Sequence, residues 1–376
     1  LQKKAIIFII TKLELGGAQK VCLSLAKQVR SKHTDTIVIT GPEGLLLNQA
    51  HRFASRVITL PYFQWNVSPL TLWKEFAAFF SMHRQLRLLR KEYDEIVVHT
   101  HSTKAGVMGR LASWCAGITR IIHTVHGFGF RPYKKVYAWW VHYLLEYMAA
   151  CVTDTYVYVS QRDAEQGKML LPAVRKTEVI RAAVDARFFI RPARRLQVAE
   201  KERLVLGTVS NLKPEKNVFA LCKIVHWLIV CGHDVQLEIV GDGPQRAQIE
   251  SFIAQHNLKE RIILHGWRDE VSSFLCRWDV CVLASLWEGL ACAVIEARLC
   301  HVPVVSYDVG GISEVIVHEK NGLLVPAGRS ELLTKALVRI ITDDQLRYSL
   351  RDAQDNLHDF DERVMSKRYE SLYLQK

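Results

Sequence analysis

At 376 residues the chain is long enough for about two domains. Its 49% hydrophobic and 23% charged content is that of a globular protein, which excludes a disordered, collagenous or disulfide-scaffold chain. One half holds the whole formal charge of +12: residues 1–190 carry +13 and residues 191–376 carry −1, so an anionic partner is expected for the first half.

Short β-branched runs alternate with longer segments of helical period, a pattern that predicts parallel α/β sheets. In the first half strands are expected at Ala5–Thr11, Thr36–Thr40, Arg56–Leu60, Glu95–Thr100, Arg120–Val125 and Thr155–Ser160, with helices near 18–31, 70–92, 104–116 and 134–151. Charge and irregularity from Val184 to Arg203 mark a domain junction. A second series of strands follows at Leu204–Val209, Val235–Gly241, Arg261–His265, Val280–Ala284, Val302–Ser306 and Gly322–Pro326, with helices near 216–231, 245–256, 289–300, 311–318 and 329–341. The expected fold class is α/β, two tandem doubly wound Rossmann-like domains at 1–190 and 191–360. Residues 361–376 are expected as a terminal helix packing back on the first domain. Strand C-terminal ends would then face an interdomain cleft, where such sheets bind ligands.

The nine cysteines are odd in number and include no C-x-x-C pair, so they read as reduced core residues of a reducing compartment. Val136–Leu145, the longest uncharged stretch of the Trp-rich region, is about half of the ~20 residues that a membrane span needs. The N-terminus reads as strand and loop rather than a cleavable signal. A soluble or surface-bound cytoplasmic protein is expected. Zinc-finger spacing, aromatic RNP patterns and long Lys/Arg runs are absent, which favours a membrane surface or a phosphate over nucleic acid.

Three strand ends carry candidate chemistry. The first strand runs into Lys12-Leu13-Glu14-Leu15-Gly16-Gly17-Ala18-Gln19 and a helix, a place where backbone N–H groups can meet an anion; a plain tight turn fits equally well. Leu206–Val209 leads through Ser210-Asn211-Leu212-Lys213-Pro214-Glu215 to Lys216, read as opening the next helix and aimed at a phosphate. Cys281–Ala284 leads to Glu288 and, about two helical turns on, Glu296. Ionised carboxylates accept hydrogen bonds in pairs, which suits vicinal hydroxyls, while the N–H groups of Gly289, Leu290 and Ala291 suit a phosphate oxygen. Ordinary helix-start glutamates are the plain alternative.

Glu288-x7-Glu296, the Gly16-Gly17-Ala18 loop, Gly241-Asp242-Gly243-Pro244, Gly310-Gly311-Ile312-Ser313-Glu314 and Asn321-Gly322-Leu323-Leu324-Val325-Pro326 together resemble glycosyltransferase family 4, in the family's order and over nearly the full chain. His99-Thr100-His101-Ser102 with His123-Thr124-Val125-His126-Gly127 further resembles the branch that builds capsule, O-antigen and other lipid-linked glycans. The resemblance implies a GT-B fold and retaining, metal-independent transfer from a nucleotide sugar, a UDP-sugar above all, with no bound cofactor. Glu296 would hold the donor ribose and Glu288 would lie against the donor sugar. Lys216 and the Gly16-Gly17 loop would hold the diphosphate, and His265-Gly266-Trp267 would border the base. His126 would sit beside the reacting face of the sugar, and the leaving phosphate would itself take the acceptor proton. The sequence departs from the family at Asn211, where an arginine is usual, at Ala182-Ala183 in place of Asn-Gly, and at Cys300 in place of a glycine. An amide at 211 brings hydrogen bonds but no charge.

The rivals are a non-catalytic subunit of the same fold and an enzyme that hydrolyses or epimerises a nucleotide sugar. The lone D-x-D, Asp359-Phe360-Asp361, reads as a helix N-cap, and the paired histidines lack a carboxylate or cysteine partner in sequence, so no metal is expected. Val136, Trp139, Trp140, Tyr143, Leu144 and Tyr147 read most simply as a stripe packing on the sheet. Arg131, Lys134 and Lys135 precede them, and Arg84, Arg87, Arg90 and Lys91 lie beside Trp73, Phe76, Phe79 and Phe80. The first domain is therefore expected to sit peripherally on an anionic membrane, facing a glycan or polyprenyl-diphosphate-linked acceptor.

Overall fold

The structure, a computed structural model, describes residues 3–64, 72–128, 136–189 and 203–375, without the side chains of 136–138. Arg131, Lys134 and Lys135, and residues 190–202 of the expected junction, lie outside the described residues. The chain divides into two compact units, Leu1–Ala182 with Glu362–Lys376, and Ala183–Asp361.

The first unit holds strands β1 (Lys4–Ile9), β2 (Thr34–Thr40), β3 (Arg56–Thr59), β4 (Glu95–His101), β5 (Ile121–Val125), β6 (Thr155–Tyr158) and β7 (Lys176–Val179). They pair in the order β3-β2-β1-β4-β5-β6-β7, all parallel. The second unit holds β8 (Leu204–Val209), β9 (Val235–Val240), β10 (Ile262–Gly266), β11 (Val280–Leu283), β12 (Val304–Tyr307) and β13 (Gly322–Val325). Their order is β10-β9-β8-β11-β12-β13, again parallel. Two doubly wound, Rossmann-like units are thus present as expected. Sequence dictates this through burial: Ala5–Ile9 is almost wholly inaccessible, the continuous apolar run of a strand covered on both faces. Ala78, Met82, Leu86 and Leu89 recur at helical spacing on the helix Leu72–Glu92 and pack against β1, β2 and β4.

Several elements differ from expectation. Strand β7 and the helices Leu47–Phe53, Gln161–Leu170 and Asp344–Asp352 were not foreseen, and the helix expected at 311–318 is a 3-10 turn, Gly310–Glu314. The cysteines are free, but only five are core residues; Cys115, Cys151 and Cys231 are exposed and Cys292 is half-buried. The aromatic stripe splits along two sides of the helix Val136–Cys151. Trp139 and Tyr147 pack on the core, whereas Trp140 and Leu144 are exposed.

In each sheet the strand order reverses once, between β1 and β4 and between β8 and β11. The loops leaving such neighbouring strands diverge to opposite faces, which opens a crevice at their C-terminal ends. Both crevices are bridged by side chains and backbone. In the first unit Thr11 Oγ1 lies 3.1 Å from Ser102 Oγ and accepts from Ala105 N. In the second, Leu286 N donates to Glu215 O at 2.9 Å.

The helix Glu362–Leu374 belongs to the first unit. Its Tyr369 and Tyr373 reach the buried Thr124 and His99, while Arg120 donates to Leu372 O at 3.1 Å.

Candidate functional site

Past β8 the chain enters a 3-10 turn, Pro214–Lys216, and Asn217 at φ 56° breaks it before the helix Val218–Val230. Lys216 therefore does not open that helix as expected; proline at the start of the turn and the left-handed Asn217 at its end hold it outside. Its Nζ donates to both carboxylate oxygens of Glu288, each at 2.6 Å. Glu288 is buried and Lys216 about a quarter exposed, so the pair closes one wall of the β8–β11 crevice.

The Glu288 loop is fixed from the other side by Gly310. At φ +54°, this residue lies so close to the carbonyl oxygens of Glu288 and Gly289 that any Cβ would collide with them. Gly311 N then donates to Gly289 O at 2.6 Å. Gly289, Leu290 and Ala291 lead into the helix Cys292–Leu299, whose N-cap Ala291 supplies no side-chain cap. Their three amides have no acceptor among the described residues, so they and the helix dipole can receive an anion. Glu296 follows in the second turn of that helix, buried. Asn211, two residues past β8, lies against Gly243, and its side-chain oxygen is buried with no hydrogen-bond partner among the described residues. Gly266 ends β10 at φ +69°, its carbonyl accepting from Gly241 N at 2.8 Å, and half-buried Trp267 follows. His265 lies 3.6 Å from the buried Glu238 carboxylate; burial holds its pKa below the ordinary imidazole value.

The remaining candidates belong to the first unit. Gly16 precedes the helix Gly17–Gln28, which starts with neither a side-chain cap nor an acidic residue in its first turn. His126 follows β5 and lines a small pocket with Ser102, Thr103, His123, Phe128 and Glu146. Ser102 sits at φ 67° and ψ 157°, an uncommon conformation for a residue with a side chain, and turns β4 into the helix Thr103–Cys115. Four histidines come together at the pocket, His123 and His126 lining it and His99 and His101 behind them. His101 Nδ1 lies 3.0 Å from His126 Nε2, His99 joins Tyr373 Oη at 2.6 Å and Thr124 Oγ1 at 2.7 Å, and His123 joins Thr100 Oγ1 at 2.9 Å. Burial pushes all four imidazoles down, His99 to about 3 and His126 to about 4, so they are neutral at pH 7. Among the described residues no group of three or more His, Cys, Asp or Glu is arranged to hold a metal ion.

This burial has a consequence for acid stability. His99 cannot take a proton in the folded chain until about pH 3, whereas the unfolded chain takes one near pH 6.5. Its contribution to stability is complete above pH 6.5 and is lost as pH falls toward 3. The urea midpoint of the first unit is expected to drop steadily from pH 7 to pH 4.5. A flat midpoint over that range would show the ladder to be solvated.

Glu146 escaped the sequence reading. It lines the His126 pocket and pairs with the fully buried Arg110 at 2.7 Å, accepting also from Tyr156 Oη at 2.9 Å. The available signal was a single carboxylate in an otherwise apolar helix.

Residues 15–188 match the family Glycosyltransferase Family 4, and residues 191–356 match the family Glycosyl transferases group 1. With two Rossmann-like units in tandem, the chain is a GT-B-fold glycosyltransferase related to both families. Among its relatives is the UDP-Gal:alpha-D-GlcNAc-diphosphoundecaprenol alpha-1,3-galactosyltransferase of Escherichia coli, 29% identical over 91% of this chain and 89% of that protein. Of solved structures, HepE of Anabaena in complex with UDP-glucose aligns over 98% of this chain and 99% of its own, at 21% identity and a TM-score of 0.80. The sucrose-phosphate synthase of Thermosynechococcus elongatus aligns over 99% and 98%, at 20% identity and a TM-score of 0.80.

Proposed function

We propose that this glycosyltransferase moves a sugar, with retention, from a UDP-sugar to a polyprenyl-diphosphate-linked sugar in the assembly of a bacterial surface polysaccharide or glycoconjugate. The observation that carries the reading is the Lys216–Glu288 pair beside the acceptor-free amides of Gly289–Ala291, at the crevice of the second unit. A departing diphosphate gathers negative charge, and preorganised amides with an ammonium stabilise that charge as it forms. Glu296 suits the paired hydroxyls of ribose, Glu288 the donor sugar, and Gly266–Trp267 the base. Asn211 adds an uncharged hydrogen-bonding group to the diphosphate region, the amides of Gly16 and Gly17 offer further donors, and His126 contacts the sugar. Several names support the choice of partners: the Escherichia coli relative acts from UDP-Gal on a diphosphoundecaprenol-linked sugar, and the Anabaena protein was solved with UDP-glucose.

A lipid-linked acceptor requires a surface that meets the bilayer. No helix among the described residues is long and apolar enough to cross a membrane. Two helices of the first unit, however, expose apolar side chains: Trp73, Phe76 and Phe80 on Leu72–Glu92, and Trp140, Val141 and Leu144 on Val136–Cys151. Crossover helices run against their strands, so Trp73, Phe76 and Trp140, near the N-terminal ends of their helices, lie toward the strand C-terminal edge that also carries His126. Arg84, Arg87, Arg90 and Lys91 are exposed on the first of those helices. Arg131, Lys134 and Lys135, which directly precede the second of those helices in the sequence, would hold the chain on the inner face of the cytoplasmic membrane, each worth about 1 kcal/mol near anionic lipid. Salt-sensitive binding to phosphatidylglycerol vesicles is expected, weakened by charge reversal at Arg131, Lys134 and Lys135 and by Trp140→Glu, with UDP affinity unchanged. Binding indifferent to salt and to both changes would remove the membrane from the account.

A panel of nucleotide sugars, with and without a polyprenyl-diphosphate sugar, tests the reaction through nucleotide release. Release from a UDP-sugar that depends on the acceptor is expected. Donor consumed without acceptor would indicate a hydrolase or epimerase, and no turnover with any donor would indicate a non-catalytic subunit.

A further inference from the structure

His101 is the member of the histidine ladder that the proposed reaction leaves unused. It is fully buried at the end of β4, its ring near-parallel to that of Phe8, 4.2 Å, centroid to centroid, from His99, and edge to edge with His126. Nδ1 lies 3.0 Å from His126 Nε2, while its own Nε2 is buried with no hydrogen-bond partner among the described residues. A buried polar atom without a partner is uncommon enough to require a cause.

One proton must bridge His101 Nδ1 and His126 Nε2. If His126 supplied it, a neutral His101 would carry its hydrogen on Nε2, a buried donor with nothing to receive it. If His101 supplies it, Nε2 keeps only a lone pair. Orphaned buried N–H groups are the rarer of the two defects in proteins, so the second arrangement costs less. A doubly protonated His101 would bury an unpaired charge among three other imidazoles. His99 offers no relief, since both of its nitrogens already meet Tyr373 and Thr124.

We propose that His101 is a positioning residue: by donating from Nδ1 to His126 Nε2 it fixes His126 as its Nδ1–H tautomer. His126 Nδ1 has no partner among the described residues and is not enclosed, so the nitrogen left for a ligand is a hydrogen-bond donor. It suits an oxygen lone pair, such as that of a sugar hydroxyl, and does not accept. The consequence for catalysis rests on the reading of His126 as a sugar contact; the tautomer itself does not.

Long-range proton–nitrogen correlation spectra of the imidazoles in the full chain test the proposal. Wild-type His126 is expected to show a protonated Nδ1 and a bare Nε2 at neutral pH. His101→Phe keeps a flat ring and removes the donor. His126 should then shift toward the Nε2–H form, and kcat should fall about tenfold, the value of one hydrogen bond, with UDP affinity and donor KM unchanged. His101→Asn, whose amide nitrogen replaces Nδ1, should restore both. A wild-type His126 protonated on Nε2 overturns the proposal whatever the rates, and so does a tautomer unmoved in His101→Phe. A tautomer that shifts while transfer stays at the wild-type rate upholds the assignment and sinks the sugar-contact reading instead.

Discussion

Replacing Lys216 by methionine is expected to lower turnover by about 10²–10³-fold, the size of losing one preorganised group from a developing oxyanion. The ammonium sits on both oxygens of Glu288, and that carboxylate has no other partner among the described residues. In the free protein Lys216 thus neutralises a buried charge, and a bound diphosphate would draw on the same ammonium. Lys216→Arg should recover only part of the rate: its fork can still pair with both oxygens of Glu288 and with a phosphate, but it spreads the charge over a bulkier planar group that reaches further from the main chain. Glu288→Gln should keep the two loops together and lose mainly turnover. Steady-state kinetics with UDP titration checks this. Wild-type turnover in Lys216→Met would reduce the pair to a clip between the loops after β8 and β11.

The largest expected effect on stability lies in the first unit. Arg110 is fully buried; it donates to Glu146 Oε1 at 2.7 Å, to Gly106 O at 2.7 Å and to Tyr156 Oη. Glu146→Ala leaves that guanidinium without a counter-charge and should cost about 3–5 kcal/mol. Replacing both members, Arg110→Met with Glu146→Leu, should cost much less, since buried ion pairs are often matched by apolar groups of similar volume. Urea unfolding of the two variants decides the matter. Equal losses would mean that Arg110 is held mainly by the Gly106 carbonyl and its packing, with Glu146 incidental.

The sequence was most legible where burial is two-sided. Strands β1, β4, β8 and β11 read directly because covered parallel strands are built around short apolar cores such as Ile96–Val98 and Leu204–Leu206, and their alternation with helices implied the doubly wound order. Edge elements were not readable. Lys176–Val179 is half-buried and reads Lys-Thr-Glu-Val, without the alternation or apolarity that marks a strand. Gln161–Leu170 is too polar to show a helical stripe, although Ser160 caps it by accepting from Asp163 N. Gly310–Glu314 copies the composition of a helix start, but its two glycines serve a close approach to residues 288–289, not helix growth.

At the candidate site, spacing along the chain marked Glu288 and Glu296, both on one loop-and-helix segment. What spacing does not carry is distance between segments. Lys216 and Glu288 are 72 residues apart, Arg110 and Glu146 are 36 apart, and each pair meets only because the sheet brings its segments together. The pairing of His101 with His126 has the same origin, two adjacent strand ends, β4 and β5, set side by side.

A crystal structure of the full chain with UDP bound bears most directly on the central claim, that the strand ends of the second unit hold the donor nucleotide. The expected complex has the ribose hydroxyls on Glu296, the diphosphate on Lys216 and the amides of Gly289–Ala291, and the base beside Gly266–Trp267. A nucleotide bound elsewhere, with Glu296 and those amides untouched, would contradict it.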